Sequence, residues 1–301
     1  MMKIFNIILF IISFIPNLFF AQTNEDGTSI LNLDKMAQIN QGDSYVTFPF
    51  DFGNMEPLMF EANVSPSFKI RERQDSRLMG VLTGQIIIRM YDETSYPVRT
   101  PSYIPQITFY YLTGNKQSSK KLTLFGRFAH HSNGQNGTFY NEEDGDINLL
   151  TGNFATNFVE FGLIKSSYGN HLNAFKFFKS SVEVHPKSWM LDEMQGKYSG
   201  LRWHNTFIAY KLPMDGDFSK SQKANFSLKA ETVMMLDNVN NQEIFDFKRL
   251  NASLTFYYHP KFLEDIGLFV QFYHGTDYYN IYFTRQIDVI RFGLMTEILR
   301  F

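Results

Sequence analysis

From about Ser44 onward the chain reads as segments of roughly 9 to 16 residues, rich in Phe, Tyr, Val, Ile and Thr and separated by turn clusters. Twelve lie near 44–52, 56–70, 79–91, 104–113, 120–132, 155–166, 171–185, 197–212, 223–236, 246–259, 265–275 and 286–301. Individual segments alternate with the period of 2 that puts residues i and i+2 of a strand on one face. In the fifth, Leu122, Leu124, Gly126, Phe128, His130 and Ser132 oppose Thr123, Phe125, Arg127, Ala129 and His131. In the sixth, Asn157, Val159, Phe161 and Leu163 oppose Phe158, Glu160, Gly162 and Ile164. Arg127 and Glu160 therefore both fall opposite the more aliphatic row. A soluble β-sandwich would also alternate, but its strands average about 5 to 6 residues. These mostly reach the roughly 9 to 11 of a tilted membrane crossing, and an apolar outside with charges inside is what lipid demands of a barrel. The pattern predicts an all-β fold, a transmembrane antiparallel β-barrel of about twelve strands over residues 44–301.

The links alternate in length. Thr113 to Lys120, Ser167 to Asn170 and His259 to Glu264 are compact, whereas 92–103, 133–154, 186–196, 237–245 and 276–285 are mostly longer. With short turns toward the periplasm, the longer links lie outside the cell and both chain ends inside. Glu297 interrupts the alternation of the last strand, which ends in Phe301, an ending that resembles the assembly signal of bacterial outer-membrane barrels.

Ahead of the strands, Lys3 precedes an apolar run from Ile4 to Phe20, broken by Pro16 and Asn17 and followed by Ala21 and the polar Thr23 to Gly27. The small residue before an abrupt polar change reads as a cleavable signal peptide, residues 1–21, rather than a membrane anchor. No later stretch approaches the ~20 apolar residues of a spanning helix. Residues 22–43 then form a polar periplasmic lead-in. The export signal and the barrel pattern together predict the bacterial outer membrane.

Composition narrows the function classes. The 301 residues hold no cysteine, which excludes a disulfide scaffold and a thiolate metal site. A net charge of −2 gives no basic surface for phosphates, so nucleic acid is not an expected partner. Thirty-two Phe and sixteen Tyr, at a mean hydropathy of −0.23, suit a barrel better than a helical membrane protein.

Candidate chemistry sits at the outer end of the fifth segment, in Phe128-Ala129-His130-His131-Ser132-Asn133-Gly134. Shared parity lets His130 place its imidazole beside the Ser132 hydroxyl. His131 points the other way, so the His-His pair cannot readily converge on one metal. A histidine activates a serine well only when a third group fixes its tautomer. Asn157, at the start of the next strand and on the same face, is a candidate. Its amide accepts a proton without carrying a charge, which suits a site beside lipid.

These residues and others make the sequence resemble the outer-membrane phospholipase A family. His130, Ser132, Asn133 and Gly134 match its H-x-S-N-G motif, and Thr156-Asn157 resembles the segment that ends in its triad asparagine. Ser95, Pro97, Arg99, Tyr103, Pro105 and Gln106 match its S-x-P-x-R-x-x-x-Y-x-P-Q stretch, and the hairpin from Tyr273-His274-Gly275 to Gln286 also looks similar. The resemblance implies a calcium-dependent phospholipase on a twelve-stranded barrel, with Ser132, His130 and Asn157 as catalytic triad. It implies Ca2+ bound at the interface of a homodimer, with Ser95, Asn153 and Gln135 at the positions of the metal ligands. Asn153 stands where the family has Ser, and Gln135 where it has Arg, leaving the Gln135 carbonyl as donor. The substrate implied is membrane phospholipid, arriving laterally from the outer-membrane lipid.

The loop from Ser132 to Asn157 is longer than the family pattern, and its insert carries Glu142, Glu143, Asp144 and Asp146, either a solvated acidic tip or an added calcium site. Asn141, Asn148 and Asn153 compete with Asn157 for the triad position. The rivals to the enzyme are a non-enzymatic barrel, acting as a pore or surface-binding protein, and a soluble exported β-protein that binds carbohydrate.

Overall fold

The computed structural model describes residues 31–71, 73, 75–115, 120–169, 172–213, 224–239 and 246–296. The expected signal peptide, the first part of the lead-in, Glu297 and Phe301 lie outside the described residues. The twelve expected segments form one antiparallel sheet that closes into a barrel. Its strands are β1 (Tyr45–Thr47 and Phe52–Gly53), β2 (Leu58–Val64 and Ser67–Ile70), β3 (Leu78–Tyr91), β4 (Ser102–Thr113), β5 (Lys120–Ser132) and β6 (Ala155–Gly169). They continue as β7 (Ala174–Val184), β8 (Leu201–Lys211), β9 (Phe226–Met235), β10 (Leu250–Tyr258), β11 (Ile266–Thr276) and β12 (Gln286–Thr296). Pro66 interrupts β2, since it has no N–H to donate, while its carbonyl still accepts from the Gly84 N–H at 3.1 Å.

Closure rests on β1 against β12, with Tyr45 opposite Met295 and Phe52 opposite Ile290. Gly53 stands where this seam is tightest. Its φ is +152°, and a Cβ there would lie 1.9 Å from the Asp288 carbonyl oxygen, so no other residue fits without movement.

Two expected boundaries shift for a physical reason. β8 starts at Leu201 instead of 197 because Tyr198 is drawn into the loop cluster described below. β10 starts at Leu250 because a 3-10 turn, Phe247–Arg249, precedes it, and the Asp246 side chain accepts the Lys248 N–H of that turn.

The alternation sorts the wall as lipid requires. Leu82, Phe109, Leu124, Phe128, Phe161 and Phe272 project outward and are exposed. Several inward charges are paired: Arg127 meets Glu160 at 3.0 Å, directly across the ladder. Glu61, fully buried, takes Arg89 at 2.7 Å, Arg291 at 2.8 Å and the Tyr45 and Tyr278 hydroxyls, and Arg89 also forks onto Asp277. Such burial is tolerable only with every charge partnered.

Among the described residues, side chains pack at both ends of the barrel. At the end with the shorter turns, Leu33–Gln41 of the expected lead-in folds as helix α1 within the barrel. Asn32 caps it by accepting the Lys35 N–H. Leu33, Met36, Ala37 and Ile39 pack on Met79, Val81, Tyr110, Phe125, Phe175, Phe177 and Ile208 of the inner wall. Polar ties fix the helix: Asn40 to the Tyr110 hydroxyl at 3.0 Å, Gln41 to Thr83 at 2.8 Å, and Asp34 to Lys69 and Arg71 at 2.9 and 2.6 Å. At the other end the long loops fold together, burying Tyr91, Phe139, Phe154, Met194, Tyr198, Ile281 and Phe283 in one aromatic cap. The lumen between plug and cap contains a polar cavity of ≈ 600 Å³.

Candidate active site

The site begins from register. β5 and β6 pair so that His130 stands directly opposite Asn157, and Ser132 opposite Ala155 on one side and Tyr103 of β4 on the other. With parity fixed by Phe128 and Phe161, the three candidate side chains share the outward face. His130 Nδ1 lies 2.9 Å from Asn157 Oδ1. An amide oxygen only accepts, so this contact places the proton on Nδ1 and leaves the Nε2 lone pair for an incoming hydroxyl. No hydrogen bond joins Ser132 to His130 among the described residues. Ser132 keeps its hydroxyl two residues along the same face, half-buried.

The competing asparagines are placed elsewhere. The Asn148 side chain is consumed within its own loop, by the Thr138 carbonyl, the Thr151 hydroxyl and two backbone N–H groups. Asn153 faces Gly137, whose carbonyl accepts its N–H at 3.1 Å, and the Asn141 N–H goes to the Asp146 carbonyl at 2.8 Å. Asn157 is the asparagine brought to His130.

Asn133 has a part that the sequence reading did not assign. It is buried, and its Oδ1 accepts from the Gln135 and Phe154 N–H groups at 3.2 and 3.1 Å, while its Nδ2 donates to the Gly152 carbonyl at 2.8 Å. Its own N–H donates to the Phe154 carbonyl. The side chain thus ties the end of β5 to the segment that re-enters β6, holding Ser132 and Asn157 in one frame. The Asn-Gly pair is the local signal, because Gly134 adopts φ +67° and turns the chain back.

Behind this wall, His131 points inward, edge-on to Phe154 at 4.9 Å. Thr156 meets His185 Nδ1 at 2.9 Å, and His185 Nε2 meets Glu183 at 2.8 Å. The inner face is therefore packed and hydrogen-bonded, which gives the outer face a rigid backing.

The 95–106 stretch and the similar-looking C-terminal hairpin also meet. The Tyr279 hydroxyl donates to the Arg99 carbonyl at 2.9 Å, and Asn280 Nδ2 donates to Ser102 Oγ at 3.0 Å. Arg99 lies 4.8 Å over the Tyr91 ring and pairs with Glu93. The loop bearing Ser95 is thereby locked to the last hairpin.

Of the candidate metal positions, Gln135 and Asn153 lie on facing segments next to Ser132, joined by the Gly137–Gly152 bridge. Ser95 sits on the exposed turn between β3 and β4, at φ +68°. The donors present are hydroxyl, amide and backbone carbonyl oxygens, the hard type calcium selects, but they fall short of its about six to eight ligands and include no carboxylate. The acidic insert does not supply one. Glu142, Glu143, Asp144 and Asp146 are exposed around a tight tip closed by the Tyr140–Ile147 bridge, and among the described residues no group of three acidic, histidine or cysteine side chains is arranged to hold a metal ion.

No family model matches the chain, and no curated protein matches it by sequence. Solved structures do. Outer membrane phospholipase A from Escherichia coli superposes with a TM-score of 0.57 at 14% identity, over 85% of this chain and 90% of that one. The Salmonella typhi enzyme, a dimer with bound calcium, gives 0.59 at 14% identity over the same shares. An active-site mutant of the Escherichia coli enzyme, with an asparagine replaced by alanine, gives 0.59 at 14% identity over 90% of this chain and 98% of that one. By its architecture, the chain has the closed twelve-stranded fold of the outer membrane phospholipase A barrels.

Proposed function

We propose that the protein is a calcium-dependent phospholipase of the bacterial outer membrane that hydrolyses acyl esters of glycerophospholipids at its lipid-facing wall. The observation that carries this reading is the 2.9 Å contact of His130 Nδ1 with Asn157 Oδ1, on the outward face and two residues from Ser132. Ser132 Oγ attacks the ester carbonyl carbon as His130 Nε2 takes its proton. The imidazolium is held by Asn157 and returns the proton to the departing alcohol. A water then enters and gives its proton to His130 as its oxygen attacks the acyl carbon, and the bond to Ser132 Oγ breaks as His130 returns that proton to Oγ, releasing the fatty acid. The Gly134 N–H, free of any acceptor among the described residues, is a donor available to the oxyanion beside Ser132.

Calcium, held by the Gln135 carbonyl and Asn153 with Ser95, would supply positive charge to that oxyanion. The homodimer is what the family resemblance implies, and the similar Salmonella typhi dimer with bound calcium and the partial donor set here support it. With the long loops outside the cell and the short turns in the periplasm, the triad lies at the outer leaflet and substrate enters sideways from the bilayer.

The pore reading is the weaker one, because among the described residues α1 and the aromatic cap pack at the two mouths. The test is fatty-acid release from phospholipid in mixed micelles by detergent-purified protein, with calcium, with a chelator, and with Ser132→Ala. Activity that requires both calcium and Ser132 supports the proposal; a folded, calcium-loaded protein that releases nothing refutes it.

A further inference from the structure

The link between β7 and β8 returns across the outer end of the barrel. After Pro186 it makes a 3-10 turn, Lys187–Trp189, and Met190 then forms an antiparallel bridge with Thr156. Trp189, the last residue of that turn, directly precedes Met190, while Thr156 directly precedes Asn157, which stands opposite His130. Met190 and Thr156 face inward and are buried, so Trp189 takes the outward face. There its ring stands edge-to-face on Phe128 at 5.9 Å, while 39% of the residue stays exposed. Trp189 thus stands on the outward face against Phe128, which shares its strand face with His130 two residues on, and its segment is bridged to the residue before Asn157.

We infer that Trp189, with Phe128, forms the wall against which the acyl chain nearest the scissile ester of a diacyl lipid lies. This rests on the phospholipase reading. An indole suits the position, since its flat apolar face covers hydrocarbon while its N–H tolerates the wetter ester level. The backbone bridge to Thr156 fixes the indole relative to Asn157, so the chain is aligned with the same frame that orients His130. An aromatic girdle alone would also put a tryptophan at the membrane boundary, but that role is indifferent to which ester is being cleaved.

The experiment compares wild type, Trp189→Ala and Trp189→Phe on long-chain phospholipid in mixed micelles and on a short-chain phospholipid with the same headgroup, both with calcium. Trp189→Ala is expected to lower kcat/KM on the long chain about tenfold, mostly through KM, and to change the short-chain value less than about twofold. Trp189→Phe recovers most of the loss. Equal loss on both substrates overturns the inference in favour of a structural role through Asn157, and no loss on either overturns it outright. Wild type inactive on both substrates would instead mark the failure of the phospholipase reading, and this inference would fall with it.

Discussion

Replacing Asn157 by alanine isolates the contact on which the proposed chemistry depends. In the resting site the 2.9 Å contact is a neutral hydrogen bond, worth about 1 kcal/mol net. When His130 takes the serine proton the ring becomes cationic, and the same contact is worth about 1.5 to 3 kcal/mol. Only the difference, about 0.5 to 2 kcal/mol, accelerates the chemical step. At 1.36 kcal/mol per decade this amounts to roughly twofold to thirtyfold. Loss of the acceptor also frees the ring to rotate and to place its proton on either nitrogen, which brings the expected fall in kcat to about 10- to 100-fold. KM should stay within about twofold, since the Asn157 oxygen is engaged by the ring and not by lipid. The assay is fatty-acid release at saturating calcium, with folding checked by the heat-dependent gel mobility of the barrel. A folded Asn157→Ala protein that keeps kcat within about twofold of wild type would refute the reasoning.

Three other outcomes follow from the fold. Burial works against the Asp34 charge, but hydrogen bonds from Lys69 and Arg71 outweigh it and hold the carboxyl below its ordinary value of 3.8. Its contribution to anchoring α1 is therefore complete above that value and is lost as the pH falls through the lower folded one; hydrogen exchange over residues 31–43 should rise only at such acid pH, and Asp34→Asn should show the faster exchange at neutral pH as well. Deleting residues 22–42 should open the lumen and give conductance in planar bilayers where the full chain is silent, and a folded deletion variant that stays silent would show that α1 is not the seal. Gly53→Ala drives a Cβ to within 1.9 Å of the Asp288 carbonyl oxygen at the closing seam and should cost about 2 to 5 kcal/mol, read as an earlier urea midpoint of the folded band; an unchanged midpoint would mean that the seam relaxes freely.

What could be read from the sequence was set by parity. A strand period of 2 is rigid, so the outward sharing of His130, Ser132 and Asn157, and the inward sharing of Arg127 and Glu160, followed without knowing the register. The register itself spans the loop from Asn133 to Phe154, which is why several asparagines competed until Asn157 was found opposite His130. The spacing of Leu33, Met36 and Ala37 is helical, yet a short helix in a polar segment gives no sign that it enters a barrel, because that depends on inner-wall residues far away in the chain. Asn133 and Trp189 owe their positions to loop returns of the same kind. Neither local propensity nor periodicity encodes where such a loop comes back to the wall.

The packing at both mouths bears on what the cell risks by making this protein. An outer membrane is a permeability barrier, and each open barrel inserted into it is a route for detergents, toxic solutes and escaping nutrients. Here the machinery proposed for catalysis stands on the outer wall, and the lumen is occupied from one end by α1 and from the other by Tyr198, Ile281 and Phe283. The strands serve as a post that holds side chains at a chosen depth in the lipid. Under the proposed function, copy number can then rise with less cost to the sieving properties of the envelope than an open barrel would impose.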